Sequence, residues 1–204
     1  MEKNYTLNFI DFQNDFVAPN GALTFDNKKG DPALIAKTTA FFKILPPDVF
    51  TNAIVTYDTH FKETYSQSEE GKKFPIHCIK NTYGWQLAID KALIERKIEN
   101  IQYLQKSTYD MWEESIEKIN PNILKKTKEV ILIGVASDIC NKAALEGWIK
   151  REIPVTILED LTRGIYKQTK EVLNQPPFKE AVQKGKIKCI SSTAFLKKMQ
   201  HERG

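Results

Sequence analysis

Residues 129–144, Glu-Val-Ile-Leu-Ile-Gly-Val-Ala-Ser-Asp-Ile-Cys-Asn-Lys-Ala-Ala, join a strand pattern to a helix pattern with almost no spacer. Val130 to Ile133 form the short apolar run of a strand buried on both faces. Gly134 and the small Ala136 and Ser137 allow a sharp turn. From Cys140 onward Ala143, Ala144, Gly147 and Trp148 recur at helical steps. A cysteine opening a helix straight after a buried strand sits where helix N–H groups favour a thiolate and can hold an oxyanion. Free cysteine is also among the most buried residue types, so a small packed thiol fits the same place. Taken alone, the segment accommodates both readings.

The rest of the chain repeats the alternation. Tyr5 to Ile10 reads as a first strand, Ala53 to Tyr57 as a second, Ile101 to Leu104 as a third, Pro154 to Leu158 and Ile187 to Ile190 as the last two. Helices are expected from Asp31-Pro32 through about Phe42, over Trp85 to Glu95, over Asp110 to Ile119 with Asn120-Pro121 as its stop, and over Gln168 to Gln183 with an interruption near Pro176-Pro177. A basic helix closes the chain. Residues 61–84 lose periodicity, and a connection of that length inside a compact domain is usually functional or disordered. The pattern predicts one α/β domain over 1–204, with three α/β/α layers around a mostly parallel sheet of about six strands. In such sheets ligands bind beyond the carboxyl ends of the strands. Asp11, Asp58 with His60, Lys106, Cys140 and Asp160 all fall at predicted strand ends.

Composition narrows the classes of function. The 30 basic and 26 acidic residues are interspersed without a dense basic block, which argues against nucleic acid as a partner. No apolar run approaches the roughly 20 residues that span a bilayer, and the N-terminus has no signal-peptide core. Three widely spaced cysteines do not describe a disulfide framework. The expected setting is a reducing cytoplasm.

Cys140 is the one nucleophile candidate on a strand-to-helix turn, and it needs a base and a cation nearby. Asp11 and Lys106 offer these, although a turn aspartate and a solvated lysine would look the same in sequence. Asp58, His60 and His77 suit a divalent transition metal with positions open to water or substrate. A turn-capping aspartate and two surface histidines share that spacing. Cys78 is a further possible ligand or a packed thiol, Cys189 reads as core, and His201 falls in the terminal helix.

Six pieces of the chain resemble the isochorismatase-like cysteine hydrolases, and within them the nicotinamidase-like branch. They are Asp11-Phe-Gln-Asn-Asp-Phe16, Asp58-Thr-His60, Phe74-Pro-Ile-His-Cys78, Thr82-Tyr-Gly84, Lys106-Ser-Thr108 and Gly134-Val-Ala-Ser-Asp-Ile-Cys140. They stand in the family's order across about residues 5 to 165. The resemblance implies Cys140 as nucleophile, Asp11 as proton carrier and Lys106 as the cation between them. It implies an oxyanion hole from the Ala136 and Cys140 amides beside a cis peptide at Val135–Ala136. Asp58, His60 and His77 would bind a divalent metal, zinc first and iron or manganese otherwise, and the metal would hold a pyridine nitrogen. Phe16 and Phe74 would wall the substrate ring.

Where relatives often carry a further ligand this chain has Ser66, so Glu69 or Glu70 is expected to substitute. The segment 81–84 and Asn141 also depart from the family's usual residues. The implied activity is hydrolysis of a small amide, nicotinamide first, through a thioester. A related hydrolase acting on another amide or ureido compound, and a non-catalytic module of the same fold, remain as alternatives. Relatives of this kind commonly form homo-oligomers.

Overall fold

A computed structural model describes residues 5–25, 29–113 and 118–202. Among these, six strands form one sheet: β1 (Tyr5–Ile10), β2 (Phe50–Asp58), β3 (Asn100–Lys106), β4 (Glu129–Val135), β5 (Val155–Arg163) and β6 (Ile187–Ile190). Their order is β3-β2-β1-β4-β5-β6, and every pairing is parallel. The chain runs outward from β1 to β3, then crosses back to lay β4 on the other side of β1. That reversal opens a crevice at the carboxyl ends of β1 and β4, the usual ligand position in this class of sheet.

Alternation along the central strands builds two cores. Leu7 and Phe9 of β1, with Ile131 and Ile133 of β4, pack on one face with α2 (Pro32–Ile44) and α8 (Ser192–His201) through Phe41, Phe42 and Phe195. Ile10, Val130 and Leu132 face the opposite layer, where α5 (Cys140–Lys150), α6 (Thr169–Leu173) and α7 (Phe178–Gln183) supply Leu145, Trp148, Val172 and Phe178. The three-layer α/β/α architecture is therefore present. A buried indole needs an acceptor for its N–H, and Trp148 Nε1 donates to Asn8 Oδ1 of β1 at 2.8 Å. This bond ties the helix of Cys140 to the central strand.

Several boundaries differ from the sequence reading, each for a local reason. The last residues of the first loop wind into a short α1 (Asn14–Val17). The helix expected over Trp85 to Glu95 is only α3 (Lys91–Glu95): Asp90 accepts from the Ala92 amide as its cap, and Leu87 bridges to Gln13 instead of joining a helix. The helix expected over Asp110 to Ile119 lies partly outside the described residues, and Met111 to Glu113 form a turn capped by Asp110. Asn120-Pro121, read as a stop, is a start. Asn120 accepts from the Asn122 amide and Pro121 takes the first position of α4 (Pro121–Lys126). The proline interruption is real: Pro176–Pro177 is cis and separates α6 from α7. Among the described residues no helix is long and apolar enough to cross a membrane.

Candidate active site

β1 ends at Asp11, which turns the chain at a positive φ of 43° that aspartate adopts only under local constraint. The constraint is Thr56 of β2. Its hydroxyl donates to Asp11 Oδ1 at 2.6 Å and accepts from the Asp11 amide at 3.1 Å. Asp11 is fully buried, and Lys106 Nζ from the end of β3 lies 2.7 Å from its Oδ2. This ion pair is the close polar contact of Oδ2, while Oδ1 is taken up by Thr56. Lys106 also donates to Thr108 O at 3.0 Å and reaches Cys140 Sγ at 3.7 Å. The three residues read as nucleophile, base and cation thus meet in one buried group.

Charge in that group is unusually dense. Burial disfavours the Lys106 ammonium, yet Asp11, Cys140 and Asp58 outweigh it and hold its pKa well above the ordinary lysine value. For Cys140 burial dominates and pushes the thiol well up. The lysine pulls the other way, but Asp11, Asp58 and Glu70 add to the rise. A thiol in this setting rests protonated, so it needs a base beside it rather than a ready thiolate.

Gly134 shapes the turn that carries Cys140. Its φ is +108°, and a Cβ there would stand 2.1 Å from the Ile10 carbonyl oxygen, so only glycine lets β4 close against β1 at this point. The Val135–Ala136 peptide is cis. Asn141 donates to the Gly134 carbonyl at 2.9 Å and holds the turn from the helix side. The Ala136 and Cys140 amides stand at the two ends of this turn.

One strand over, Asp58, His60, Glu70 and His77 are all buried, and one ligand atom from each lies within 4.8 Å of the others. Asp58 Oδ2 is 3.0 Å from His60 Nε2 and 3.1 Å from His77 Nε2, and the Glu70 oxygens lie 3.6 and 3.5 Å from the same two nitrogens. Pro75 O sits 2.8 Å from His77 Nδ1 and can only accept, which puts a proton on Nδ1 and turns Nε2 toward the carboxylates. Burial disfavours charge on His77, but the Asp58 and Glu70 carboxylates beside its ring outweigh burial and push its pKa up to about 10. Asp58 is held well below the usual carboxylate range: burial opposes this, while Lys106 and both histidines enforce it. Asp58 Oδ1, Glu70 Oε2 and His77 Nε2 are buried without hydrogen-bond partners. Orphaned oxygens and imidazole nitrogens converging on one point fit a divalent metal, which would take the place of the proton on His77 Nε2.

The placement corrects one sequence expectation. Glu69 points to solvent, its side chain 78% exposed and ion-paired with Lys72, so it cannot join the donor set. Its neighbour Glu70 is the carboxylate that turns inward. A second correction concerns Asp160. β5 runs on to Arg163, and the Asp160 carboxylate accepts from the Ser192 amide and hydroxyl at the start of α8, away from the crevice. Phe16 lies against the His77 ring at 5.3 Å, and Phe74 meets Tyr109 edge-on at 6.4 Å. A cleft of about 510 Å³ lined by His60, Tyr65, Glu70, Thr108 and Tyr109 opens beside the donor set. Cys78 is buried, Cys189 half-buried and His201 exposed.

Sequence reasoning passed over Thr56 and Tyr65. Thr56 had a signal, a hydroxyl inside the apolar run from Ala53 to Tyr57. Tyr65 had none, since it comes from the aperiodic connection, where its hydroxyl meets His77 Nδ1 at 3.1 Å.

The Isochorismatase domain family matches residues 6–174 of the chain. The nicotinamidase of Saccharomyces cerevisiae is 29% identical over 205 residues, covering 83% of this chain and 92% of the relative. Among solved structures, nicotinamidase from Bacillus subtilis superposes with a TM-score of 0.69 at 21% identity, covering 94% of this chain and all of that one. A pyrazinamidase from Pyrococcus horikoshii, solved in complex with zinc, has a TM-score of 0.69 at 23% identity, covering 92% and 99%.

Proposed function

The chain belongs to the isochorismatase family, and from that premise we propose that it is a metal-assisted cysteine amidase that converts nicotinamide to nicotinate and ammonia. The observation that carries this reading is the shared position of Lys106. Its ammonium touches Asp11 and Cys140 and also lies 3.8 Å from Asp58 Oδ1, so nucleophile and donor set form one continuous site. A yeast nicotinamidase as relative supports the choice of amide.

In this reading Asp11 Oδ2, the carboxylate oxygen not held by Thr56 and paired with Lys106, takes the Cys140 thiol proton as Sγ attacks the amide carbon. Lys106 offsets the charge on sulfur and carboxylate through both stages. The Ala136 and Cys140 amides receive the oxyanion of the tetrahedral intermediate, and each such donor typically contributes on the order of 3 kcal/mol. Asp11 returns its proton to the leaving nitrogen, the C–N bond breaks, and ammonia departs from a thioester on Cys140. Asp11 then deprotonates a water that attacks the thioester, and the thiol regains the proton. Asp58, His60, Glu70 and His77 would hold the metal, zinc first for two imidazoles with two carboxylates, with iron or manganese also suited. When bound, the metal supplies a Lewis acid that grips the pyridine nitrogen. Phe16, against the His77 ring, and Phe74 would bracket the flat substrate.

Ammonia release from nicotinamide, measured with and without prior chelation in the native chain and in Cys140→Ala, tests the assignment. We expect release by the native protein, its loss in the variant and its reduction by the chelator. No release from zinc-loaded native protein rejects nicotinamide as substrate. Turnover of another small amide or a ureido acid in the same assay would then reassign the substrate within the same cysteine chemistry.

A further inference from the structure

After a shift between Tyr5 and Thr6, β1 and β2 pair in regular register up to Phe9 and Val55, and the Asp11 amide still reaches the Thr56 carbonyl at 3.3 Å. Asp11 then turns the chain away from β2. Left there, the peptide of Asp58 would face the crevice with its N–H and C=O unpaired on the β1 side, and buried backbone groups do not stay unpaired.

The side chain of Gln13 fills that gap. It is fully buried, its Oε1 accepts from the Asp58 amide at 2.8 Å, and its Nε2 donates to the Asp58 carbonyl at 2.8 Å. A side-chain amide thus takes the place of the strand peptide that β1 no longer supplies. The second Nε2 proton goes to the Trp85 carbonyl at 2.9 Å, beyond the far end of the connection that carries His60, Glu70 and His77. On its other edge Asp58 pairs with Lys106 of β3, and the Thr59 amide bonds to the Lys106 carbonyl at 2.7 Å. The backbone of Asp58 is therefore gripped from both sides, by a strand on one and by a single glutamine on the other.

We infer that Gln13 is a positioning residue that sets the aim of the Asp58 carboxylate, and through it the affinity of the Asp58–His60–Glu70–His77 set for its metal. Gln13 touches none of those donor atoms itself; it acts on the peptide that carries one of them. Its hydrogen bonds cover every donor and acceptor its amide head directs at Asp58, so no smaller or apolar side chain reproduces them. The inference rests on the metal reading of this set. Outer partners of ligating residues typically change metal affinity 10- to 100-fold when removed.

The test compares zinc affinity of the full native chain with Gln13→Met and Gln13→Glu by competition with a chromogenic chelator. The visible absorption of the cobalt(II)-loaded proteins serves as a signature of ligand geometry. Gln13→Met removes every polar contact, while Gln13→Glu keeps the shape and the acceptor but loses both N–H bonds. The expected result is a 10- to 100-fold weaker zinc affinity and altered cobalt bands in both variants, each still folded but with a metal-free unfolding midpoint lowered by the lost buried hydrogen bonds. Native-like zinc affinity and cobalt bands in folded variants overturn the inference alone. Failure of both variants to fold also overturns it, because a positioning role leaves the fold standing. Absence of zinc binding by the native chain overturns the metal reading, and the inference falls with it.

Discussion

Single side chains at this site work by holding one another rather than by acting alone. Thr56 is the clearest case, since one hydroxyl both donates to the Asp11 carboxylate and accepts from the Asp11 amide. Thr56→Val keeps the shape and removes both bonds, and it leaves a buried carboxylate oxygen unpaired. We expect kcat for amide hydrolysis to fall by about 10- to 100-fold with KM little changed, as for an interaction made to the proton carrier rather than the substrate. Thr56→Ser should recover most of the loss in the same steady-state assay. The two adjacent glutamates give a second contrast. Glu70→Gln is expected to weaken zinc binding at least tenfold in a chelator competition, whereas Glu69→Gln, at an exposed ion pair, should leave it unchanged. Adjacent residues of one type could not be told apart in sequence, because only the winding of 61–84 decides which one turns inward.

At the scale of elements, the turn between β4 and α5 was readable and the connection after β2 was not. The apolar run from Val130, the glycine and the helix-opening Cys140 each follow from local chemistry, and the structure places them as that chemistry requires. The same logic recovered β1 to the residue and the proline break between α6 and α7. It failed where one residue type serves opposite ends of a helix, as Asn120-Pro121 does, and where an aperiodic segment is organised by contacts distant in sequence. Tyr65 and Glu70 belong to that second class, as does Asp15, whose carboxylate accepts from the Cys78 amide at 2.7 Å. The turn makes a prediction of its own. Gly134→Ala forces a Cβ against the Ile10 carbonyl at a φ that alanine resists, and should lower stability by about 1–3 kcal/mol in urea unfolding. An unchanged midpoint would mean that β4 can withdraw from β1 without cost.

For the molecule as a whole, the Trp148 to Asn8 bond is a buried polar tie between the α5 layer and the central strand. Trp148→Phe leaves the Asn8 oxygen unpaired in the interior and opens space, so unfolding free energy should drop by about 2–4 kcal/mol, read from the urea midpoint. Metal should act on global stability too, because it binds the folded donor set. Zinc at about 100 times its Kd adds roughly 2.7 kcal/mol by mass action, and thermal unfolding should shift upward with zinc and return on chelation. A metal-independent melting temperature would count against occupancy of the Asp58 set. The origin of the two chemical sets has a further consequence. Asp11, Lys106 and Cys140 are anchored at the ends of β1, at the end of β3 and at the start of α5, whereas Glu70 and His77 come from one connection between β2 and α3. Under the proposed reading the bond-breaking residues and Asp58 would be built into the frame, while the remaining metal donors would ride on one exchangeable connection. Exchange of that connection would then change what the site holds and leave Asp11, Lys106 and Cys140 where they stand.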